Sequence, residues 1–254
     1  MPNMDAVVPE KLSLNTRFRF RCHRGIGCFT RCCSNIDILL TPYDIIRMKR
    51  RLNMSSTEFL SRYTYFKVDE RSSLPHLFLM MSDDEERRCP FVTPQGCTIY
   101  SDRPANCRYY PIGQGTLKRQ AKDGVKEEEF YFYIREPHCL GYKEEKEWSI
   151  ESWRIDQGVD VYDRMNREWK GINLRRDIPG QTALDKKKQV MFYIASYDID
   201  SFRGFIFESG FLNLFDVDDL TVKRIRDDEI ELMRFGFKYL KYILMIEETL
   251  KVRR

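Results

Sequence analysis

No stretch of this 254-residue sequence reaches the roughly 18 uninterrupted apolar residues that a membrane-spanning helix requires. The opening Met1-Pro2-Asn3-Met4-Asp5 carries an acid and lacks the apolar run of an export signal, so a cytoplasmic chain is expected. Charge of one sign is scarcely in excess: 43 Lys and Arg against 39 Asp and Glu leave a net +4, with the signs mixed along the chain. Neither a nucleic-acid footprint nor a membrane-binding polybasic block follows from that balance. The local exception, Arg47-Met48-Lys49-Arg50-Arg51, reads as the solvated face of a helix. Low-complexity tracts and internal repeats are missing. So is a Gly-rich loop of the kind that cradles nucleotide-like cofactors, Gly113-x-Gly115 being too short. Disorder is excluded as well, because 42% hydrophobic and 13% aromatic residues supply ample apolar surface to offset chain entropy.

What the sequence does have is a concentration of cysteine. Seven of its eight cysteines lie between Cys22 and Cys107, as Cys22-x5-Cys28-x3-Cys32-Cys33 and then Cys89-x7-Cys97-x9-Cys107, and Cys139 follows His138. Reduced structural thiols have no reason to crowd into two short loops, so thiolate ligation of a metal is the economical account. Thiolates select zinc, copper(I) or iron–sulfur clusters. The spacing matches neither the paired Cys-x2-Cys knuckles of a zinc ribbon nor the Cys-x2-Cys-x2-Cys run of a ferredoxin, which leaves the metal open. In an extended segment the side chains of Cys32 and Cys33 point to opposite faces and cannot share one tetrahedral ion without a local kink. They serve two centres, or one of them packs structurally. His23 and His138, each beside a cysteine, could replace a thiolate.

The layout predicts an α+β protein: a loop-rich cysteine-cluster domain with a small sheet, followed by a mainly helical C-terminal region. Residues 17–40 read as a cysteine-threaded loop. Thr41-Pro42-Tyr43-Asp44 reads as a helix start, with Ile45, Met48 and Leu52 forming the apolar stripe, and a second short helix begins at Ser56. Tyr63–Val68, Leu77–Met81 and Phe130–Arg135 read as strands. Cys89-Pro90 to Gly96-Cys97 has hairpin length, and Asp102 to Cys107 a short turn of helix. Beyond Gly141 cysteine and histidine cease, placing the division between residues 17–142 and 143–254. In the second part Trp153, Met165 and Trp169 are expected inward, and Asp228 with Glu231 resembles a capping box. The following stripe Ile230, Met233, Phe237, Leu240 and Leu244 suits core packing, or a seam for a protein partner.

Several segments carry a family resemblance. Phe18-Arg19-Phe20-Arg21-Cys22, Cys28-x3-Cys32-Cys33, Leu40-Thr41-Pro42-Tyr43-Asp44-Ile45, Cys89-Pro90-Phe91, Gly96-Cys97-Thr98-Ile99-Tyr100 and Arg103-Pro104-Ala105-Asn106-Cys107-Arg108-Tyr109-Tyr110-Pro111 together resemble the YkgJ-type cysteine-cluster family. That family is described as a zinc- or iron-chelating domain with eight cysteines. The resemblance covers about residues 17–142 and implies that Cys22, Cys28, Cys32, Cys33, Cys89, Cys97, Cys107 and Cys139 are the metal-binding set. The family pattern is Cys-x2-Cys-x2-Cys-Cys whereas the gaps here are five and three, so Cys22 is the least secure ligand. A cytoplasmic protein holding zinc or iron, the latter as an iron–sulfur cluster, is the expected function. The alternatives are an iron–sulfur enzyme modifying a protein side chain, as a lysine methylase of that family does, and a redox or metal-trafficking module. Arg103, Arg108, Tyr100 and Tyr109 would then hydrogen-bond and neutralise the thiolates, or contact substrate.

Overall fold

The structure, a computed structural model, describes residues 6–121, 124–176 and 182–253; of Pro9, 117–121 and 124–127 it describes the backbone alone. The Met1–Asp5 segment, read above as lacking an export signal, lies outside the described residues. The strands are β1 (Val7–Leu12), β2 (Arg17–Arg19), β3 (Leu39–Leu40), β4 (Thr64–Val68), β5 (Pro75–Leu79), β6 (Val92–Thr93), β7 (Gly96–Cys97), β8 (Ile112–Ala121), β9 (Gly124–Ile134) and β10 (Glu147–Ser149). The helices are α1 (Pro42–Leu52), α2 (Ser56–Tyr63), α3 (Ala105–Tyr109), α4 (Ile150–Gln157), α5 (Val159–Arg176), α6 (Lys186–Tyr197), α7 (Ile199–Glu208), α8 (Phe211–Leu214), α9 (Asp219–Asp227) and α10 (Glu229–Ile243). The class is therefore α+β, with small antiparallel sheets in the N-terminal region and a mainly helical C-terminal region. No helix among the described residues is long and apolar enough to cross a membrane.

Two compact units result, each drawn from two stretches of chain: Met1–Leu39 with Leu79–Tyr162, and Leu40–Phe78 with Asp163–Arg254. The first holds a three-stranded sheet in the order β1-β9-β8, the β2–β10 pair and the β6–β7 hairpin. The strand expected at Phe130–Arg135 is the end of the longer β9, and β8 was not expected at all. Its sequence lacks the branched and aromatic alternation that marks strands. Gly113 and Gly115 explain its place. They face Phe132 and Phe130 across the hairpin, and a Cβ on either glycine would come within 2.2 or 2.5 Å of the opposing ring. Beneath the strands Phe18, Phe20, Tyr131, Tyr133, Ile150 and Trp153 form an aromatic core, against which Cys139 and Tyr142 pack. Phe20 meets Trp153 and Tyr142 edge-on at 5.5 and 5.4 Å, geometry worth about 0.5–1.5 kcal/mol per pair beyond area burial.

In the second unit α1 starts as expected. The Thr41 hydroxyl accepts the Asp44 amide while the Asp44 carboxylate accepts the Thr41 amide at 2.8 Å. Ile45 and Met48 are fully buried, and Phe59 and Leu60 of α2 turn inward. Helix α10 is capped by Asp228, and Met233, Phe237, Leu240 and Leu244 are all buried, so the stripe is core. On α5 Trp169 is inward, but Met165 is half-buried; the fully buried neighbour is Asn166, whose Oδ1 accepts the Tyr43 amide. Asp198 ends α6 and caps α7, and Asp200 stands in the first turn of α7. Their carboxylates are fixed from α2: the Ser56 hydroxyl donates to Asp198 at 2.6 Å, and the Ser56 amide to Asp200 at 2.6 Å. Buried Lys49 pairs with Asp200 and Glu229.

Candidate metal centre

Three short segments bring the cysteines into position. The first is tied at its base, where the Arg21 amide donates to the Gly141 carbonyl at 3.1 Å and the Trp148 indole to the Phe20 carbonyl at 2.8 Å. It then advances by tight turns, His23 to Ile26, Ile26 to Phe29 and Cys28 to Arg31. Thr30 takes a left-handed φ of 67°, and Arg31–Cys33 closes into a 3-10 turn. This is the kink that adjacent cysteines need. In place of the opposite-facing extended pair, the turn sets the Cys32 and Cys33 thiols beside each other. The adjoining Cys33 thiol is the main reason the Cys32 thiol is pushed well above the usual range, with burial second.

The second segment is stitched to the first through backbone. The Cys89 amide donates to the Cys33 carbonyl at 2.8 Å, and the Asn35 amide to the Arg87 carbonyl at 3.0 Å. The β6–β7 hairpin then pairs Val92 with Cys97. Gly96 sits at φ +113°, a conformation costly to any residue with a Cβ, and a Cβ there would lie 3.2 Å from the Phe29 ring. Phe29, between Cys28 and Cys32, thus packs onto the residue preceding Cys97. Downstream, Cys107 stands in α3, and the third segment supplies Cys139 beside Leu140, whose amide donates to the Cys28 sulfur at 3.2 Å.

The electrostatics sort the thiols. Cys22 is exposed as a residue, yet the protein packed around its sulfur pushes the thiol up to about 11. Cys32, Cys28 and Cys139 push it further in the same direction, and Arg103 opposes them. Burial likewise raises Cys139, against the Tyr110 hydroxyl and the Gly141 amide, while Cys28 and Cys32 add to the rise. Cys28 and Cys32 are therefore close enough to both Cys22 and Cys139 that their charges disfavour the ionisation of those two thiols. A second pair lies in the hairpin: burial pushes Cys89 up to about 11, the Phe91 and Val92 amides pull it down and Cys97 raises it. Burial raises Cys97 too, against the Ile99 amide and Arg103. In Cys89, Cys97 and Cys139 alike, the amide two residues on favours the thiolate. None of the eight cysteines is in a disulfide.

Among the described residues no three Cys, His, Asp or Glu side chains converge as a closed set of metal ligands. The donor chemistry nevertheless fits a thiophilic cation: the neighbouring sulfurs that oppose ionisation of Cys22 and Cys139 cease to do so when a positive charge joins them. The histidines separate. His23 is engaged at both nitrogens, accepting the Gly25 amide at Nδ1 and meeting Glu144 at 3.2 Å through Nε2. His138 keeps a buried Nε2 with no hydrogen-bond partner, next to Cys139. The buried Tyr110 hydroxyl likewise forms no close hydrogen bond. Its polar neighbour is Cys139, and burial together with that sulfur raises its ionisation far above the tyrosine norm.

The basic and aromatic residues named from sequence have distinct jobs. Arg108 is spent on backbone, donating to the carbonyls of Arg103, Gln157 and Ser101 at 3.0, 2.7 and 2.6 Å and stacking over Tyr162. Arg103 donates to the Tyr100 carbonyl, lies 3.7 Å over the Tyr100 ring and bonds Gln157, while its charge favours thiolates at Cys22 and Cys97. Gln157 went unnoticed in the sequence, since nothing marks a lone glutamine as the receiver of two arginines. Phe20 and Phe91 are buried beside the cysteines.

The sequence pattern of the CxxCxxCC family, described as a "putative zinc- or iron-chelating domain", matches residues 21–146. Residues 21–146 belong to the CxxCxxCC family. The matched stretch contains all eight cysteines, and metal chelation is the property by which this CxxCxxCC domain is described. No curated protein and no solved structure matches the chain.

Proposed function

We propose that the eight cysteines of residues 17–142 hold zinc or iron, in a cytoplasmic protein whose reducing surroundings keep the thiols out of disulfides. Cys22, Cys28, Cys32 and Cys139 make one group and Cys89 with Cys97 begin a second; Cys33 stands between them, its thiol beside Cys32 and its carbonyl bonded to the Cys89 amide. The observation that carries this reading is that all eight cysteines lie in the stretch matching a domain described as zinc- or iron-chelating. The Leu140 amide on the Cys28 sulfur and the charges of Cys28, Cys32 and Cys139 acting on Cys22 support the first group. The Cys33–Cys89 backbone bond and the Cys89–Cys97 coupling support the second group. A bound ion or iron–sulfur cluster supplies positive charge that neutralises thiolates and cross-links segments distant in sequence. Around it Arg103 lowers the cost of the anionic sulfurs, backbone amides orient them, and Tyr110 faces Cys139. Residues 143–254 act as a helical scaffold, with exposed Leu214, Leu220 and Met245 available to a protein partner.

Metal analysis and an absorption spectrum of protein purified without oxygen test the reading. A brown sample with a broad visible band identifies an iron–sulfur cluster; a colourless one with stoichiometric zinc identifies zinc ions. Protein that takes up neither metal sinks it. Cys139→Ser and Cys97→Ser should each remove roughly half the metal if the groups are separate, whereas complete loss from either variant would mean a single shared centre.

A further inference from the structure

A cavity of about 450 Å³ opens in the first unit, and three of its lining residues are the arginines 17, 19 and 135. Strand β2 alternates exposed, buried, exposed, so Arg17 and Arg19 share the solvent-facing side while Phe18 turns to the core and floors the cavity. The Tyr133 hydroxyl donates to the Arg17 carbonyl at 3.3 Å, fixing that backbone. Tyr142 spends its hydroxyl on the Pro111 and Ile134 carbonyls, leaving its ring as a wall. Arg135 lies 5.1 and 5.2 Å from the Tyr133 and Tyr142 ring centres, held by faces rather than by a carboxylate. Two carboxylates are near. Glu147 pairs with Arg19 at 3.2 Å in an exposed contact, and Glu10 approaches Tyr133 from β1 without lining the cavity. Exposed ion pairs are worth little and exchange readily. Among the described residues no carboxylate pairs with Arg17 or Arg135.

We infer that this cavity binds a small organic phosphate monoester. Guanidinium forks match the oxygens of a phosphate bidentately, and three of them over aromatic walls leave positive charge that a dianion satisfies better than a carboxylate does. Phe18 and Tyr133 are buried, so the partly exposed Tyr142 ring is the wall that meets the organic body of the ligand. The site rests on arginines and rings, not on the cysteines, so it stands independently of the metal reading.

Phenyl phosphate and benzoate serve as probes, titrated calorimetrically into the full chain with its metal content measured. One-to-one binding of phenyl phosphate is expected, weaker for benzoate and weakened by added salt. The double variant Arg17→Gln, Arg135→Gln should lose about tenfold or more in affinity, while Lys238→Gln, on an exposed helix position elsewhere, should change nothing. Should the double variant fail to fold, Arg19→Gln must weaken binding in its place. No saturable binding, equal affinity in the arginine variants, or tighter binding of benzoate overturns the assignment.

Discussion

The Cys89 amide donates to the Cys33 carbonyl at 2.8 Å, joining two loops whose cysteines are 56 residues apart in sequence. Regular structure is sparse around this bond, with a 3-10 turn on one side and a two-residue strand on the other. Such a junction has little apolar packing of its own, so a bound metal should carry part of its stability. Chelation is expected to speed amide hydrogen exchange across residues 20–38 and 86–100 while leaving α10 unchanged. Equal protection of the loops before and after verified metal removal would separate the junction from the metal.

Gly96 and Gly204 give opposite expectations for the same substitution. At Gly96 alanine must adopt φ +113° against the Phe29 ring, a strain of about 1–3 kcal/mol. At Gly204, inside α7, a new Cβ meets only the flexible Glu208 side chain at 3.7 Å, so alanine should stabilise by about 0.5–1 kcal/mol. Thermal denaturation of the two variants checks both signs, and Gly96→Ala should also hold less metal.

Acid should weaken the second unit through Asp200. Burial alone would raise its carboxyl, but the Ser56 amide and the Lys49 ammonium outweigh it and hold the group below the usual carboxylate range. A depressed pKa contributes stability that is present above the unfolded value of about 3.9 and lost as pH falls through the lower folded value. Asp200→Asn should therefore be less stable at neutral pH, by about 1.5–3 kcal/mol for the charged hydrogen bonds removed. Its stability should also fall less steeply below about pH 4 than the parent's. Parallel acid limbs for the two proteins would refute the role.

Removing Lys49 should cost more than removing an exposed lysine. Its ammonium is buried between Asp200 and Glu229, and Lys49→Met leaves those carboxylates without their buried cation. The expected loss is about 3–5 kcal/mol, against within about 0.5 kcal/mol for Lys238→Met at an exposed position. Urea denaturation curves compare them directly.

In metal-free protein Cys22 should alkylate slowly despite its exposure. A thiol at about 11 is thiolate in about one molecule per thousand at pH 8. Arg103→Gln should slow it further, because that guanidinium lowers the thiol's pKa. Iodoacetamide labelling followed by peptide mapping measures the rate, and labelling as fast as an unperturbed cysteine would contradict the burial of the Cys22 sulfur and its nearness to Cys32, Cys28 and Cys139.

Local signals were legible without coordinates. Thr41, Pro42 and Asp44 announce α1 because capping is chemistry between residues three apart, and the α10 stripe follows from helical period alone. The crowding of cysteines marks the metal region for a similar reason, since thiol density is a property of composition. Other features were settled by contacts remote in sequence. Strand β8 exists because Phe130 and Phe132 fill the space above Gly113 and Gly115, and a glycine gives no hint of the ring it will meet. The facing of Cys32 and Cys33 depends on the left-handed turn at Thr30, which no residue type there requires. Coupling of Cys22, Cys28 and Cys32 to Cys139, and the joining of Leu40–Phe78 to Asp163–Arg254 in one compact unit, arise from long-range packing. Spacing along a chain limits which residues can meet; burial of the aromatic side chains decides which of them do.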